Sequence, residues 1–142
     1  MTEPASPNRT RRLRRPRALT AALLWLPLAL GCAADQRDGD ADLQVRWSFE
    51  PSPPVVGTSG IRLDVSDVDW SPRNGAKVVL TGLRDGIELV VDTAVGEGAG
   101  RYVARDFRFE VTGVWLLRAR VETADGRWVE VEREVEVVAG AG

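Results

Sequence analysis

The chain contains no histidine, one cysteine and one methionine among its 142 residues. Without histidine, Ser-His-Asp triads, Cys-His dyads and histidine-zinc sites are excluded, because each needs an imidazole as base or ligand. A single cysteine can form neither an internal disulfide nor a Cys-x-x-Cys pair. These absences remove the commonest catalytic and metal sites, and the composition predicts a protein that is not an enzyme and holds no cofactor.

Positive charge is concentrated at the start of the chain. Six arginines precede Gly31, where Glu3 is the one acid, whereas thirteen basic and twenty acidic residues follow from Cys32 onward. The later part therefore carries a net charge of −7. We expect such a chain to be repelled by nucleic acid, so nucleic acid is not a predicted partner.

An apolar run at residues 18–30 follows the arginines. As a helix it would span about 20 Å, which is too short for a hydrocarbon core of about 30 Å. Basic, apolar and small residues in this order are typical of an export signal peptide. The pair Arg11-Arg12 leaves the twin-arginine route open beside the general secretory route.

The run ends in Leu-Ala-Leu-Gly-Cys at residues 28–32, which resembles the lipobox of bacterial lipoproteins. The resemblance implies that residues 1–31 are a signal peptide and that Cys32 is lipidated. Acyl chains contribute about 0.8 kcal/mol per buried CH₂ and would anchor the chain to a membrane. The alternative is a free Cys32 thiol, which an oxidising compartment disfavours. We predict an extracytoplasmic lipoprotein of the cell envelope, with the inner or outer membrane left open.

Residues 33–42 carry four aspartates and no apolar periodicity. This composition predicts a solvated, acidic tether of ten residues, whose fully extended limit is about 35 Å.

From Leu43 onward apolar and polar residues alternate with period two, and Gly/Pro-rich turns divide the pattern. No segment has helical periodicity. The alternating or β-branched segments are 43–49, 61–65, 76–83, 87–93, 101–111, 114–123 and 128–138. They predict an all-β, immunoglobulin-like antiparallel β-sandwich of about seven strands over residues 43–138, with 139–142 as a disordered tail.

The last two segments also predict their own pairing. A two-residue loop would set a row of glutamates opposite the residues that share a face with Trp115. We reject this loop because it would bury those charges. A three-residue loop that ends at a left-handed Gly126 pairs Trp115 with Val135 instead. The one misfit is Arg133, opposite Leu117, which needs a carboxylate partner, a bulge or an opening in the sandwich. Trp115 is then the expected centre of the core.

Four motifs occur in a recognisable order: PSPPVVG at 51–57, IRLDVSD at 61–67, NGAKVVLTGL at 74–83 and GRYVARDFRFEVTGVWLLRARV at 100–121. Over roughly residues 49–137 this order resembles the YtkA-like domain, which is related to FixH-family proteins of bacterial membranes. The resemblance implies a membrane-attached, extracytoplasmic accessory module, and FixH-like members are associated with cation transport or oxidase assembly. This chain differs from the FixH pattern because it has a predicted lipid anchor instead of a spanning helix.

Two tryptophans are candidate contacts with a partner. Trp70 lies in the polar loop DVDWSP and Trp128 on the outer face of the last hairpin, and exposed tryptophan is favoured at interaction sites. The alternative is that each covers a sheet edge. The alternating glutamates at 130–136 are interpreted as a solvated face and not as a catalytic carboxylate pair, because they lie on one flat face with no cleft.

Metal binding has one candidate in the sequence. Asp64, Asp67 and Asp69 could gather oxygen ligands for calcium, although a polar strand end that leads into a loop explains them too. Sandwiches of similar build bind copper through histidine and methionine, and this chain lacks histidine and loses Met1 with the signal peptide. We therefore expect no metal site and no transition-metal partner.

These observations favour a non-catalytic, membrane-anchored lipoprotein that acts as an accessory or assembly module for an envelope protein complex. The alternative is an extracytoplasmic module that binds a ligand or calcium.

Overall fold

The structure is a computed structural model that describes residues 36–40 and 42–141. The predicted signal peptide and Cys32 lie outside these residues. Eight strands occur in the described part: β1 (Gln36–Gly39), β2 (Leu43–Glu50), β3 (Gly57–Asp67), β4 (Lys77–Arg84), β5 (Ile87–Gly98), β6 (Arg101–Phe109), β7 (Gly113–Glu122) and β8 (Trp128–Val137). Within the same residues, no helix has the length and apolar character needed to cross a membrane.

The strands form one antiparallel sheet in the order β1-β8-β7-β4-β5-β6-β3-β2. The sheet curls at β5, which pairs with β4 through Ala94 and with β6 from Val95 onward. Side chains from both halves of the sheet pack into one core. The prediction of an all-β antiparallel sandwich is confirmed.

The centre of the core is Trp115, which is fully buried, as predicted. Its indole nitrogen donates to the Val111 carbonyl at 3.0 Å, and its ring meets Phe109 edge to face at 5.2 Å. Gly82 makes room for the rings, because a Cβ there would lie 3.0 Å from Phe107 and 3.5 Å from Trp115. Aromatic packing of this kind contributes beyond the area that it buries.

The predicted pairing of the last hairpin is confirmed. Trp115 lies opposite Val135, and Leu117 lies opposite Arg133. The Thr123 N–H donates to the Arg127 carbonyl at 2.8 Å, so the loop has three residues, and Gly126 is left-handed with φ 86°.

Arg133 is half-buried, and its guanidinium carbon lies 5.9 Å from the ring centre of Phe49 on β2. The β7–β8 pairing has no bulge at this position, and Arg133 makes no ion pair with any residue that the structure describes. An aromatic face therefore lies beside the charge in place of a carboxylate.

Three boundaries differ from the sequence analysis. Gln36–Gly39, expected in the tether, pairs with β8 as an edge strand. Asp40 follows this strand: its N–H donates to the Trp128 carbonyl, and its side chain accepts from the Trp128 N–H. β3 begins four residues early, because Gly57–Ser59 pair with β6 before a bulge. β5 continues through Gly98, so the following turn is tighter than expected. Residues 139–141 lie in no strand.

Candidate functional site

The outer surface of β2, β3 and β6 carries a row-like cluster of arginines, here called the arginine face. Alternate residues of these strands enter the core, so the residues between them point to solvent. The exposed members are Arg46, Arg62, Arg101, Arg105 and Arg108, of which Arg108 lies at the end of β6 away from the first two. The face contrasts with the acidic character of the chain from Cys32 onward.

Acidic side chains neutralise only part of this face. Asp64 lies opposite Arg46 on one side and Arg101 on the other, but its ion pair is with Arg101, Nε to Oδ1 at 3.4 Å. Arg105 is paired with Glu97. Arg46 makes no ion pair with any residue that the structure describes, and its positive charge remains available to a ligand.

Trp70 lies at one end of the arginine face, 58% exposed. The guanidinium carbon of Arg46 lies 5.1 Å from the centre of the Trp70 ring, which is a cation–π contact. The backbone of Trp70 has φ 67°. A bulky residue in the left-handed region is a conformational outlier, which costs about 1–3 kcal/mol and persists only when the surroundings impose it.

Local hydrogen bonds within the loop impose this conformation. The Trp70 N–H donates to the Asp67 carbonyl at 3.0 Å, and the Asp67 N–H donates to the Ser71 carbonyl at 3.0 Å. Oδ1 of Asp69 accepts from the Ser71 N–H at 3.0 Å. Together they close a compact turn with Trp70 at its tip.

The Asp67 side chain fixes the base of the loop. Arg73 donates to its Oδ2, and the Arg127 guanidinium approaches its Oδ1 at 3.4 Å from the β7–β8 turn. The hydrogen bond from Arg73 holds the pKa of Asp67 below its ordinary value, with the positive charges of both arginines adding to the effect. Asp67 is therefore ionised and paired at neutral pH.

Tyr102 joins the far side of the loop to the core. Its ring is buried, and its hydroxyl donates to the Arg73 carbonyl at 2.7 Å and accepts from the Ala76 N–H at 2.9 Å. Nearby, Oδ1 of Asn74 accepts from the Gly100 N–H at 2.8 Å. Sequence analysis assigned Tyr102 no site role, although a buried tyrosine hydroxyl usually requires a polar partner.

The loop, β2, β3 and β6 line an open surface cavity of about 240 Å³, here called the Trp70 cavity. Its lining consists of Arg46, Asp64, Val65, Ser66, Trp70, Pro72, Ala99 and Arg101. A guanidinium that stacks through its flat face keeps its edge N–H groups free, and this edge matches a carboxylate or phosphate with two parallel hydrogen bonds. The cavity can therefore receive one anionic group beside an aromatic ring.

The two predicted contact residues differ in their surroundings. Trp70 is exposed at the cavity, whereas Trp128 is half-buried, with Arg120 4.6 Å from its ring centre. The Trp128 backbone N–H donates to Asp40 Oδ2 at 2.7 Å. Trp128 thus lies where β1 joins β8, and the partner-contact role of either residue stays a prediction. Cys32 lies outside the described residues.

The three aspartates considered for calcium have other partners. Asp64 pairs with Arg101, Asp67 pairs with two arginines, and Asp69 accepts a backbone N–H. In residues 36–40 and 42–141, no group of three or more histidine, cysteine, aspartate or glutamate side chains could hold a metal ion.

The glutamates of β8 form an ion-pair network on the opposite surface of the molecule. The Arg118 guanidinium contacts Glu132 at 2.8 Å and Glu130 at 3.4 Å. Glu134 and Glu136 are exposed. The arrangement is the flat, solvated face expected from the sequence.

No protein-family model matches the chain, and no curated protein matches it. Among solved structures, CopC from Methylosinus trichosporium OB3b is similar, with 17% identity, a TM-score of 0.47, and coverage of 70% of this chain and 98% of that one. The PmoD soluble domain from Methylocystis sp. ATCC 49242 (Rockwell) has 11% identity, a TM-score of 0.46, and coverage of 71% and 95%.

The expectation of no transition-metal partner is corrected by these two structures. The similarity to CopC and PmoD contradicts that exclusion, and we withdraw it. The described residues of this chain include no histidine, cysteine or methionine, and they offer oxygen donors alone among the usual side-chain ligands. This donor set does not fit copper, and we derive no step that passes through it.

Proposed function

We propose that the chain is an exported, non-catalytic binding module of the cell envelope, anchored by a lipid on Cys32, which takes a carboxylate or phosphate group in the Trp70 cavity. The basic leader, the short apolar run and the lipobox-like residues 28–32 support export and anchoring. The proposal is the ligand-binding alternative of the sequence analysis, with the site named.

The observation that carries the proposal is the strained and exposed Trp70 beside Arg46. Folding alone gains little from an exposed indole at positive φ, and strain of this kind occurs where a site is held ready for a ligand. The hydrogen bonds among Asp67, Asp69, Trp70 and Ser71 fix the backbone of the loop before any ligand arrives. A preorganised site avoids the entropic cost of ordering a loop on binding.

An anion fits this cavity better than calcium does. Arg46 has no acidic partner in the described part of the chain, while Asp64 already pairs with Arg101. A cation that entered would meet two guanidinium groups and would have to displace one of them from its carboxylate. An anion would instead complete the hydrogen bonding of Arg46.

The test is a thermal-shift and tryptophan-fluorescence titration of the purified full chain in detergent with inorganic phosphate, butyrate, calcium and copper(II). At a concentration near 100 Kd, a ligand of the folded state adds about 2.7 kcal/mol of stability. We expect phosphate or butyrate to raise Tm, and Arg46→Gln and Trp70→Ala to remove the rise. Arg108→Gln, an exposed arginine of β6 outside the cavity, is the matched control.

A rise in Tm with calcium or copper(II), combined with none for either anion, would overturn the assignment of the ligand. An anion effect that survives in Arg46→Gln would place binding elsewhere on the molecule.

The lipid anchor has a separate test. Cys32→Ser should abolish both lipid modification, measured by mass spectrometry of the mature amino terminus, and recovery in the membrane fraction. Unchanged membrane recovery of the variant would contradict the anchor.

A second candidate function is the accessory or assembly role, which the YtkA-like resemblance also implies. The observation in its favour is the first half of β5, which has no second partner strand among the described residues and carries three exposed aliphatic side chains: Ile87, Leu89 and Val91. An apolar sheet edge can accept an additional strand from another protein. A photo-crosslinker at Val91 should give one defined adduct in intact cells, which Leu89→Lys removes, and a crosslinker at exposed Val114 should not give it. Absence of an adduct at Val91 would contradict this role.

A further inference from the structure

A second depression lies on the arginine face beside the Trp70 cavity. It has a volume of about 300 Å³ and is here called the Arg62 groove. Its lining consists of Glu50, Gly60, Arg62, Glu97, Val103 and Arg105. Because Gly60 has no side chain, backbone atoms of β3 line the groove at this position. A smaller hollow of about 90 Å³ adjoins the groove between β2 and β3 and shares Arg62 with it.

The pairing of β2 with β3 fixes the distance between Arg46, in the Trp70 cavity, and Arg62, in the adjacent groove. Arg46 lies opposite Asp64, and Arg62 precedes Asp64 by two residues on the same strand. Two residues along a strand correspond to about 6.7 Å and one strand across to about 4.8 Å, which places the Cα atoms of Arg46 and Arg62 about 8 Å apart. The two arginines are thus diagonal neighbours on one surface.

The charges of the groove leave Arg62 available. Arg105 is neutralised by Glu97, whereas Arg62 makes no ion pair among the residues that the structure describes. Glu50 stands at the far rim as the one carboxylate of the groove without an arginine contact in the same residues. Two unneutralised guanidinium groups, Arg46 and Arg62, therefore face solvent side by side.

We infer that the ligand of this face is a linear molecule with two anionic groups, one held by Arg46 in the Trp70 cavity and the other by Arg62 in the adjacent groove. The inference rests on the proposed function, because it takes the Trp70 cavity as the first point of attachment. Two linked anionic groups bind more tightly than one, since the second attachment becomes intramolecular once the first has formed. The shared chemistry is a pair of carboxylates or a pair of phosphates.

The experiment uses isothermal titration calorimetry on the full chain. It compares probes that carry one anionic group, called one-headed, with probes that carry two, called two-headed. Butyrate is compared with suberate, a linear dicarboxylate, and inorganic phosphate is compared with tripolyphosphate. We expect the two-headed probe of at least one pair to bind about tenfold more tightly than its one-headed counterpart. The pair that shows the gain identifies the ligand as a carboxylate or a phosphate.

Three variants assign the gain to residues. Arg62→Gln should remove the tenfold gain and leave butyrate and phosphate binding unchanged, whereas Arg46→Gln should weaken both kinds of probe. Glu50→Gln should tighten the two-headed probe about two- to threefold, because it removes a repelling carboxylate that solvent largely screens. Arg108→Gln is the control and should change nothing.

Equal affinity of the one-headed and two-headed probes, or a gain that survives in Arg62→Gln, would overturn the inference while the proposed function stands. Failure of butyrate and phosphate to bind at all would refute the proposed function itself. Circular dichroism of each variant should match that of the original chain, because all four substituted side chains are exposed.

Discussion

Gly100 and Gly126 offer a quantitative test of how the Trp70 loop is held. Both have positive φ, 72° and 86°. An added Cβ at Gly126 meets nothing within 4 Å, whereas at Gly100 it lies 2.4 Å from the Val65 carbonyl oxygen and 3.0 Å from Pro72 Cβ. Alanine at either position pays the left-handed backbone penalty, but only at Gly100 must the backbone also move.

The expected magnitudes follow from these surroundings. The left-handed penalty is about 1–2 kcal/mol, and the reduced freedom of the unfolded chain offsets about 0.4–1 kcal/mol of it. Gly126→Ala should therefore cost about 1 kcal/mol. At Gly100 the clash also disturbs its carbonyl, which accepts from the Val65 N–H at 2.7 Å, and its N–H, which donates to Asn74 at 2.8 Å. At about 1 kcal/mol for each hydrogen bond, Gly100→Ala should cost about 3–4 kcal/mol.

Urea unfolding followed by far-ultraviolet circular dichroism measures both free energies, and a loss of 1 kcal/mol lowers Tm by about 4–8 °C in a domain of this size. Gly98→Ala is the matched control, because Gly98 lies in the same region with φ 90° and open space around it. It should behave like Gly126→Ala. Equal losses for Gly98→Ala and Gly100→Ala would refute the steric reasoning.

Three further predictions concern the core, pH and the edge strand. Trp115→Ala should lower the free energy of unfolding by about 3–5 kcal/mol in urea titrations, and a loss below about 1 kcal/mol would contradict its central position. The pKa of Asp67 is lowered in the folded state from 3.8, so its stabilising contribution is present above that pH and is lost as the pH falls through the folded pKa. Urea midpoints of Asp67→Asn should consequently fall less on acidification than those of the original chain, and an equal fall would contradict the pairing of Asp67 with Arg73 and Arg127. Asp40→Ala should speed amide hydrogen exchange at Trp128, whose N–H donates to Asp40, and unchanged exchange would argue against that contact.

The core and the last hairpin could be predicted from sequence because their determinants are local. Period-two alternation identifies the buried face, and a single pairing keeps the glutamates of β8 away from Trp115. β1 could not be predicted, since its residues Gln-Arg-Asp-Gly have no apolar alternation. Its position depends on Asp40 and on a β8 edge that exists only in the folded molecule.

The candidate site was only partly predictable for a similar reason. Trp70 is conspicuous in the sequence as an aromatic residue in a polar loop. Its relation to Arg46, 24 residues earlier in the chain, depends on the pairing of β2 with β3 and on the turn that follows β3. The free guanidinium of Arg46 follows from the preference of Asp64 for Arg101, and no spacing in the sequence reveals which of two flanking arginines a carboxylate selects.

With the proposed lipid on Cys32, the pairing of Gln36 with Glu132 would limit how far the fold stands from a bilayer. Only three residues separate Cys32 from Gln36, which allows a reach of about 14 Å at 3.3–3.6 Å per residue, less than half the reach of the ten-residue tether expected from composition. A lipid on Cys32 would hold the sandwich almost in contact with the headgroups. Any molecule that meets it there must itself lie at the membrane surface or diffuse into that narrow layer.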